Sequence, residues 1–265
     1  MPELPEVETI VRYLRPKIRG KRILRVEVKT PRLFRDYRSP KEALIKIAGK
    51  KIEEVDRAGK NLLFRLNDGS CFLIHLMMTG RLFFNPVVSA IHDRMNIYLS
   101  GGDVLVFNDI RKFGRCRIVA AVEGLVGREP LQISFPEFQR LVASRKAGII
   151  KRILLNQKFL AGIGNIYSDE ILWYAGIGPM RNIATLTPRE IKKLYGAMRH
   201  VLLLAIQKGG TSARDYLKPD GKPGGYYKIR KAYQRTGEKC SRDNASIKRI
   251  KIGQRSAHFC PKHQV

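Results

Sequence analysis

The sequence predicts a multidomain α+β fold, because the hydrophobic periodicity changes twice along its 265 residues. A stripe of helical spacing opens the chain, and short strand-like runs at regular intervals follow it as far as residue 121. Helical spacing returns between residues 132 and 209, and the last part goes back to glycine and short strands. We therefore expect an N-terminal helix with an antiparallel β-sandwich, a helical domain and a C-terminal β-hairpin.

Apolar residues three and four apart predict the first helix, and Gly20 stands where glycine typically ends a helix. These residues are Val7, Ile10, Val11, Leu14 and Ile18. The strand-like runs that follow are separated by turn sequences at 67–69 and 101–103. They are Ile23–Val28, Leu62–Leu66, Cys71–Leu76, Ile97–Leu99, Val104–Phe107 and Cys116–Ala120.

Two Ser/Thr-x-x-Glu capping boxes, at 134–137 and 187–190, mark the beginning of helices in the second half. The first opens a helix to about residue 145, and the second opens a long helix that ends near residue 209. Between them, the spacing predicts helices at 149–155 and 165–174. The predicted domains are 1–121, a linker at 122–131, 132–220 and 221–265.

The net charge of +28, from 51 Lys and Arg against 23 Asp and Glu, indicates a polyanionic partner. Nucleic acid is favoured, because the basic residues are spread along a globular sequence, whereas a membrane surface is typically bound by a compact basic amphipathic helix. The acidic start differs from a signal peptide, and the longest apolar run, 201–206, is too short to cross a bilayer. We therefore expect a cytoplasmic protein that binds nucleic acid and no membrane.

The first six residues, Met-Pro-Glu-Leu-Pro-Glu, allow two interpretations. Removal of Met1 would leave Pro2 with a free secondary amine, and an α-amino group with a pKa of about 7.7–8.0 is partly unprotonated at neutral pH. Such an amine attacks a sugar carbon or an aldehyde to form an iminium ion, and Glu3 and Glu6 could transfer protons beside it. In the alternative, Pro2 is an ordinary first helical residue, and the glutamates favour the helix N-terminus.

The segment 161–170 carries a candidate anion site. Two glycines allow a tight turn, and Asn165 then begins a helix whose N-terminal N–H groups suit a phosphate. With the preceding helix, on which Lys151 could add a phosphate contact, the segment resembles a helix–two-turn–helix DNA-binding unit. The simpler alternative is an N-terminal Asn after a glycine loop.

Arg111 and Phe113 follow a predicted strand and lie two residues apart, so that both side chains point to one side. At a DNA surface, Phe can wedge into the base stack and Arg can fill the place of an extruded base. The alternative is a basic turn with one core aromatic residue. Met78, in the segment His75–Gly80, is likewise either a wedge or a core residue.

The C-terminal tail has the spacing of a four-ligand zinc hairpin. Cys240-x₂-Asp243 is followed, after sixteen residues, by Cys260-x₂-His263. The hypothesis is one Zn²⁺ per chain, with His258 as a spare nitrogen that could replace Asp243. The alternative is a metal-free β-hairpin that keeps only two cysteines.

Taken together, these motifs make the chain resemble the formamidopyrimidine-DNA glycosylases, bacterial base-excision-repair enzymes whose family also includes endonuclease VIII. The resemblance covers essentially the full length and follows the family order. Its segments are Met-Pro-Glu-Leu-Pro-Glu-Val-Glu-Thr at 1–9, Gly59-Lys60, His75–Gly80, Asp109–Gly114, Ala161–Tyr167 and Gly253–Pro261.

The resemblance implies a role for each matching catalytic residue. Pro2 would attack C1′ of the damaged nucleoside, and Glu3 would be the acid that assists base loss. Glu6 would support the pocket, and Lys60 would contact the phosphate or sugar beside the lesion. By the same resemblance, residues 1–121 would form the catalytic domain.

The resemblance also implies a DNA-binding surface. Its residues are His75, Met78, His92, Arg111, Phe113, Lys151, Asn165, Tyr226 and Arg255. Met78, Arg111 and Phe113 would fill the gap left by the flipped base. Asn165 and Arg255 would hold backbone phosphates, the latter from the zinc hairpin.

Two features point to the purine-lesion branch of the family. Leu4 stands where endonuclease VIII relatives usually have Gly, and 211–224 resembles a lesion-recognition loop. The resemblance thus implies a monomeric DNA glycosylase and AP lyase of the bacterial nucleoid. Its partner would be double-stranded DNA that contains oxidised purines (8-oxoguanine, formamidopyrimidines) or abasic sites. The alternatives are an enzyme for oxidised pyrimidines and a non-catalytic damaged-DNA-binding protein.

The chain departs from the family pattern at several positions. Asp243 and His263 replace cysteines, which predicts a changed metal affinity. Met77 stands where the family usually has Gly, which predicts a different void-filling geometry. Ile110 replaces the usual Pro at its position, which predicts a looser turn.

Overall fold

The computed structural model describes residues 1–213 and 215–265, so Arg214, in the predicted recognition loop, lies outside the described residues. The predicted α+β class is confirmed. Within the described residues, the α-helices are α1 (Leu4–Ile18), α2 (Pro40–Ile45), α3 (Phe135–Ala143), α4 (Ile150–Leu155), α5 (Asn165–Ala175) and α6 (Pro188–Gln207). The strands are β1 (Ile23–Val28), β2 (Ile52–Ala58), β3 (Asn61–Leu66), β4 (Cys71–His75), β5 (Gly80–Phe84), β6 (Asp93–Leu99), β7 (Val104–Asp109), β8 (Arg115–Val119), β9 (Lys248–Ile252) and β10 (Arg255–Phe259).

Two four-stranded antiparallel sheets form the N-terminal half of the described chain. One has the strand order β1-β6-β7-β5, and the other has the order β2-β3-β4-β8. Phe64 and Phe72 from the second sheet and Phe107 from the first lie in one buried cluster with the apolar face of α1. The two sheets therefore enclose a common core, and the predicted β-sandwich is confirmed.

Helix α1 is fixed to the sandwich by its apolar face and by polar contacts at its edge. Its fully buried side chains are Leu4, Val7, Ile10, Val11, Leu14 and Ile18. The Nε atom of Arg57 donates to Glu8 at 2.8 Å, and the Nε atom of Arg15 donates to the Val55 carbonyl at 2.8 Å. These contacts hold the helix, and with it the N-terminus of the chain, in a defined place.

Helix α5 is enclosed by protein on almost every side. Most of its residues between Tyr167 and Ala175 are buried, which is typical of a helix at the centre of a helical domain. Helices α4 and α6 and strand β10 pack against it. Gly176 ends the helix with a φ of +72°, as the sequence predicts. No helix within the described ranges is long and apolar enough to cross a bilayer.

The described residues divide into two compact units. The first contains Met1–Leu125 and Lys208–Tyr227, and the second contains Val126–Gln207 and Lys228–Val265. The chain therefore returns to the first unit after α6 before it enters the C-terminal hairpin. The domain boundaries that the sequence suggests stay a prediction.

Candidate active site, nucleic-acid interface and metal centre

Pro2 and Glu3 are buried and stand ahead of helix α1, whereas Met1 is 41% exposed. Glu3 is the N-cap, and Pro5 takes the early helical position that suits proline. Pro2 therefore lies outside the helix, so the interpretation of Pro2 as an ordinary first helical residue does not describe this geometry. Glu3 is only 3% exposed, and Glu6 is 1% exposed.

Glu6 holds two backbone segments with one carboxylate. Its Oε2 atom accepts from the Glu3 N–H at 2.8 Å, and its Oε1 atom accepts from the Thr211 N–H at 2.7 Å. The hydroxyl of Tyr216 donates to the Glu6 carbonyl at 3.4 Å, and burial beside this carboxylate raises the pKa of Tyr216. At Gly210, with a φ of +81°, an added Cβ would lie 2.9 Å from Oε1. The start of the predicted recognition loop is thus fixed to the N-terminus.

Lys60 and His75 occupy one end of the second sheet. Lys60 lies in the turn between β2 and β3, and His75 ends β4 opposite Asn61. The Met77 N–H donates to His75 Nδ1 at 2.9 Å. Burial, together with the positive charges of Lys60 and Arg115, lowers the pKa of His75 to about 4. His75 is therefore neutral near pH 7 and presents its Nε2–H as a donor.

Asp109 organises the turn that carries Arg111 and Phe113. The carboxylate is fully buried: Oδ1 accepts from Thr79 Oγ1 at 2.5 Å and from the Arg111 N–H at 3.2 Å, and Oδ2 accepts from the Gly114 N–H at 2.8 Å. The Arg111 guanidinium lies 4.6 Å from the Phe113 ring centre, so the structure brings these two side chains together. Sequence reasoning missed Asp109 and Thr79, although an Asp at a strand end often accepts from turn amides.

Two departures from the family pattern lie at this turn and at the neighbouring one. The turn after Ile110 is closed by the Asp109 hydrogen bonds and not by a proline ring. Met77 has a φ of +54°, in the left-handed region that favours glycine, which accounts for a glycine preference at this position. Met78 follows it and is 36% exposed.

His92 and Tyr226 have different surroundings. His92 Nδ1 lies 3.1 Å from Nη2 of Arg94, and its carbonyl accepts from the Asp109 N–H at 2.9 Å, which places it beside the turn just described. Tyr226 is buried and belongs to the packed segment that returns to the first unit. The DNA contacts of both residues stay predictions.

In the second unit, Asn165 is the first residue of α5, after Gly164 as the N-cap. Asn165 Oδ1 is buried without a hydrogen-bond partner in the described part of the chain. Lys151 is fully buried, and its Nζ atom donates to the Asn165 carbonyl at 3.1 Å, to Ser168 Oγ at 2.8 Å and to Asp169 Oδ1 at 2.6 Å. This geometry leaves no ammonium hydrogen for the phosphate contact predicted for Lys151.

Arg255 stands near the tip of the C-terminal hairpin. It begins β10 opposite Ile252 in β9, and the connecting turn contains Gly253 at a φ of +59°. The Arg255 side chain is exposed. The phosphate contact of Arg255 stays a prediction.

Cys240, Asp243, Cys260 and His263 form a group that could hold a metal ion. One ligand atom from each residue lies within 4.8 Å of the others. His263 Nε2 lies 3.2 Å from the Trp173 carbonyl, and Nδ1 lies 2.9 Å from Asp243 Oδ2. A ligating histidine typically binds a carbonyl through its second ring nitrogen, so the group fits a metal in donor type and in orientation.

The carboxylate of this group is ionised. Partial burial opposes ionisation, but hydrogen bonds from the Ala245 N–H and from neighbouring donors outweigh it and hold the pKa of Asp243 well below its usual range. His258 does not join the group: the clustered ligand atoms come from the other four residues, and its Nδ1 atom lies 2.8 Å from Asp169 Oδ2. The expectation that His258 could replace Asp243 is therefore wrong.

Comparison with known proteins points to one family along the chain. A family model described as "Formamidopyrimidine-DNA glycosylase N-terminal domain" matches residues 1–116, and one described as "Formamidopyrimidine-DNA glycosylase H2TH domain" matches residues 126–216. The formamidopyrimidine-DNA glycosylase of Pelotomaculum thermopropionicum is 43% identical over 100% of this chain and 99% of that protein. The enzyme of Carboxydothermus hydrogenoformans is 42% identical over 100% of both.

Solved structures show the same relationship. A Lactococcus lactis FPG mutant in complex with Fapy-dG-containing DNA has a TM-score of 0.89 and 33% identity, with 99% of each chain covered. The Lactococcus lactis Fpg complex with abasic-site DNA has a TM-score of 0.88 at 33% identity and the same coverage. The chain therefore belongs to the formamidopyrimidine-DNA glycosylase family, the DNA glycosylases of base excision repair.

Proposed function

We propose that the chain is a bifunctional DNA glycosylase and AP lyase that removes oxidised purines from double-stranded DNA through Pro2. The buried Glu6 carboxylate carries this assignment, because it holds the Glu3 amide, and Pro2 with it, ahead of helix α1. A proline outside the helix, next to two buried glutamates, has no role as a helix start. Once Met1 is removed, its secondary amine is a nucleophile.

The chemistry follows from that amine. The nitrogen forms a bond to C1′ while the damaged base leaves with a proton, and the sugar ring opens to give an iminium ion. A secondary amine cannot return this ion to a neutral imine, so the positive charge stays as an electron sink. Loss of the C2′ proton then expels the 3′ phosphate, and a second elimination expels the 5′ phosphate. Glu3 supplies the proton for base loss and ring opening.

Residues of the first unit hold the lesion and its phosphate. Met78 and the turn with Arg111 and Phe113 fill the space of the flipped nucleotide. Lys60 contacts the phosphate or sugar beside the lesion, and the neutral His75 donates its Nε2–H to a phosphate. His92 and Tyr226 complete the proposed DNA contacts of this unit.

Residues of the second unit hold backbone phosphates. Asn165 presents its amide at the N-terminus of α5, where the helix dipole favours an anion. Arg255 reaches a phosphate from the hairpin with a charge-assisted hydrogen bond. Lys151 donates a hydrogen bond to the Asn165 carbonyl and so supports the first turn of α5.

Zinc is the metal that we assign to the C-terminal group, with one ion per chain. Two thiolates, one carboxylate and one imidazole are all zinc ligands, and four protein ligands leave no position for a reacting water. The group would therefore be structural. Its residues cross-link the two ends of the hairpin that carries Arg255.

Purine lesions are the proposed substrates, and duplex DNA of the bacterial nucleoid is the proposed partner. Leu4 and the loop after α6 support the purine branch. Solved relatives were captured with Fapy-dG and with carbocyclic 8-oxo-G in DNA. Release rates from matched duplexes with 8-oxoguanine or thymine glycol test this choice, and faster release of thymine glycol would identify an enzyme for pyrimidine lesions.

Borohydride trapping tests the mechanism. The full-length protein should form a covalent complex with an 8-oxoguanine duplex, and Pro2→Gly should lose most of it. Pro5→Ala is the matched control, because Pro5 is a helical residue in the same buried stretch, and its complex should persist. Mass analysis of the mature protein should show Pro2 as the first residue. Binding to an abasic duplex without trapping or cleavage would leave only a DNA-binding protein.

A further inference from the structure

A buried polar network joins helix α5 to the C-terminal hairpin. The side chains of Lys151 and Asp169 are fully buried, and that of His258 is 7% exposed. Asp169 Oδ1 accepts from Lys151 Nζ at 2.6 Å, whereas Oδ2 accepts from the His258 N–H at 3.1 Å and from its Nδ1–H at 2.8 Å. One carboxylate thus receives hydrogen bonds from α4 and from β10.

Each partner of Asp169 is connected to a residue with a proposed phosphate contact, either by a hydrogen bond or along the same strand. Lys151 also donates to the carbonyl of Asn165, the first residue of α5. His258 lies three residues after Arg255 on the same strand. A buried charge persists where it is paired and hydrogen-bonded, and a fully satisfied network specifies one geometry. The positions of Asn165 and Arg255 therefore depend on the same buried carboxylate.

We propose that Asp169 is a positioning residue for DNA binding. With Lys151 and His258 it fixes the first turn of α5 and strand β10 in one geometry, so that Asn165 and Arg255 engage their phosphates together. This role rests on the proposed function, which makes those two residues phosphate contacts. Lys151 then acts through Asn165 and does not touch DNA.

Salt dependence separates the two possible roles of Lys151. Loss of a lysine that touches a phosphate reduces the slope of log K against log salt by about 0.9. Lys151→Met together with Asp169→Asn removes both charges and leaves neither unpaired. In the Arg255→Gln background, where the arginine no longer contributes to the slope, we expect binding to a duplex with a tetrahydrofuran abasic-site analogue to weaken about tenfold, the loss typical of a misplaced hydrogen bond to a charged group, with an unchanged slope. A slope reduced by about 0.9 would overturn the positioning role.

His258 tests the hairpin side of the network. His258→Asn keeps an N–H near the position of Nδ1, whereas His258→Leu removes it. We expect His258→Leu to weaken binding about tenfold and His258→Asn to restore most of the affinity. Arg255→Gln should weaken binding about tenfold in the wild-type background but less than about threefold with His258→Leu, because the arginine is no longer held in place. Full additivity of the two losses would contradict the proposal.

Val142→Ala is the matched control for loss of stability. Val142 is buried on α3, in the same unit, and α3 packs on α6. The variant should lower Tm but leave the affinity and the full effect of Arg255→Gln unchanged. A weakening of binding as large as that of His258→Leu would reduce the network to a stability element.

Asn165→Ala and Arg255→Gln, alone, report on the proposed function. If neither weakens binding, the phosphate contacts themselves are wrong. If both weaken it and His258→Leu does not, only the positioning role of Asp169 fails.

Discussion

The β-sandwich and the C-terminal hairpin both present proposed DNA contacts, but different forces hold them. Among the described residues, the buried cluster of the sandwich contains 26 residues, most of them from α1 and both sheets, whereas the cluster at the base of the hairpin contains five. Two of those five, Cys240 and Cys260, belong to the metal group. Burial of apolar surface therefore suffices to shape the sandwich, but the hairpin has too little of it and depends on cross-links.

Buried carboxylates also have different roles in the sandwich and near the hairpin. In the sandwich, Glu6 and Asp109 accept from backbone N–H groups of turns whose positions the core already fixes. In the second unit, Glu170 accepts from the N–H groups of Lys231, Ala232 and Tyr233 at 2.8 to 2.9 Å, ahead of the hairpin. In the sandwich, such bonds refine a site that the core already shapes. In the hairpin, they act together with the proposed metal to fix the position of the hairpin.

Metal removal should have the largest effect and should act on the hairpin alone. Structural zinc contributes on the order of 10–16 kcal/mol to folding in small domains. Chelation should therefore speed amide exchange in β9 and β10 and change the emission of Trp173, the single tryptophan, whose ring packs edge-on to His263. Exchange in the sandwich should not change. Cys116→Ala is the control, because it removes a cysteine of the sandwich core that lies outside the metal group. This variant should respond to chelation as the wild type does.

A substitution in the sandwich core should destabilise the other region. Phe72→Ala should lower the free energy of unfolding by about 3–5 kcal/mol, because it leaves a cavity against Phe34 and Phe64. Urea unfolding followed by circular dichroism measures this change. Leu24→Ala, at an exposed position of β1, should stay within about 0.5 kcal/mol of the wild type. Equal losses in the free energy of unfolding for the two variants would mean that burial in the core does not dominate the stability of the sandwich.

His75 gives the sandwich a pH dependence. Its pKa is about 4 in the folded protein against an ordinary 6.5, so the unfolded chain binds a proton that the folded chain does not. The contribution of His75 to the free energy of unfolding is fully present above pH 6.5. It is lost as the pH falls to about 4, by up to roughly 3 kcal/mol. His75→Gln, which keeps an N–H donor, should remove this part of the loss in urea unfolding at pH 7 and pH 4. The same acid loss in both proteins would assign it to other groups.

Local patterns predicted the elements that depend on local physics. Strand β1 and helices α1 and α3 to α6 lie where periodicity, capping boxes and terminal glycines place them. Strand β2 was not predicted, because α1 covers it and its burial does not alternate. Strand β5 was not predicted either, since it begins at Gly80, where an added Cβ would lie 2.3 Å from the Leu76 carbonyl.

The site residues also divide into those that local patterns predict and those that only tertiary packing brings together. The segments with Pro2, Asn165 and Arg255 are visible as motifs, and so is the metal group. The groups that position them are not: Thr79 meets Asp109 across 30 residues, and His258 meets Asp169 across 89. No local pattern specifies such pairs, because tertiary packing alone brings them together.

The smallest effect tests whether a carboxylate refines a site that the core has already formed. Glu6→Gln replaces one acceptor oxygen with an NH₂ group, so either the Glu3 or the Thr211 N–H loses its partner, at a cost of about 1–3 kcal/mol. The fold should survive, since the sandwich core is unchanged, but borohydride trapping should slow about tenfold as Pro2 loses its fixed position. Glu53→Gln, on the exposed side of β2, is the charge-matched control and should trap at the wild-type rate. Normal trapping by Glu6→Gln would mean that packing alone positions the N-terminus, and the carboxylate would then serve only the recognition loop.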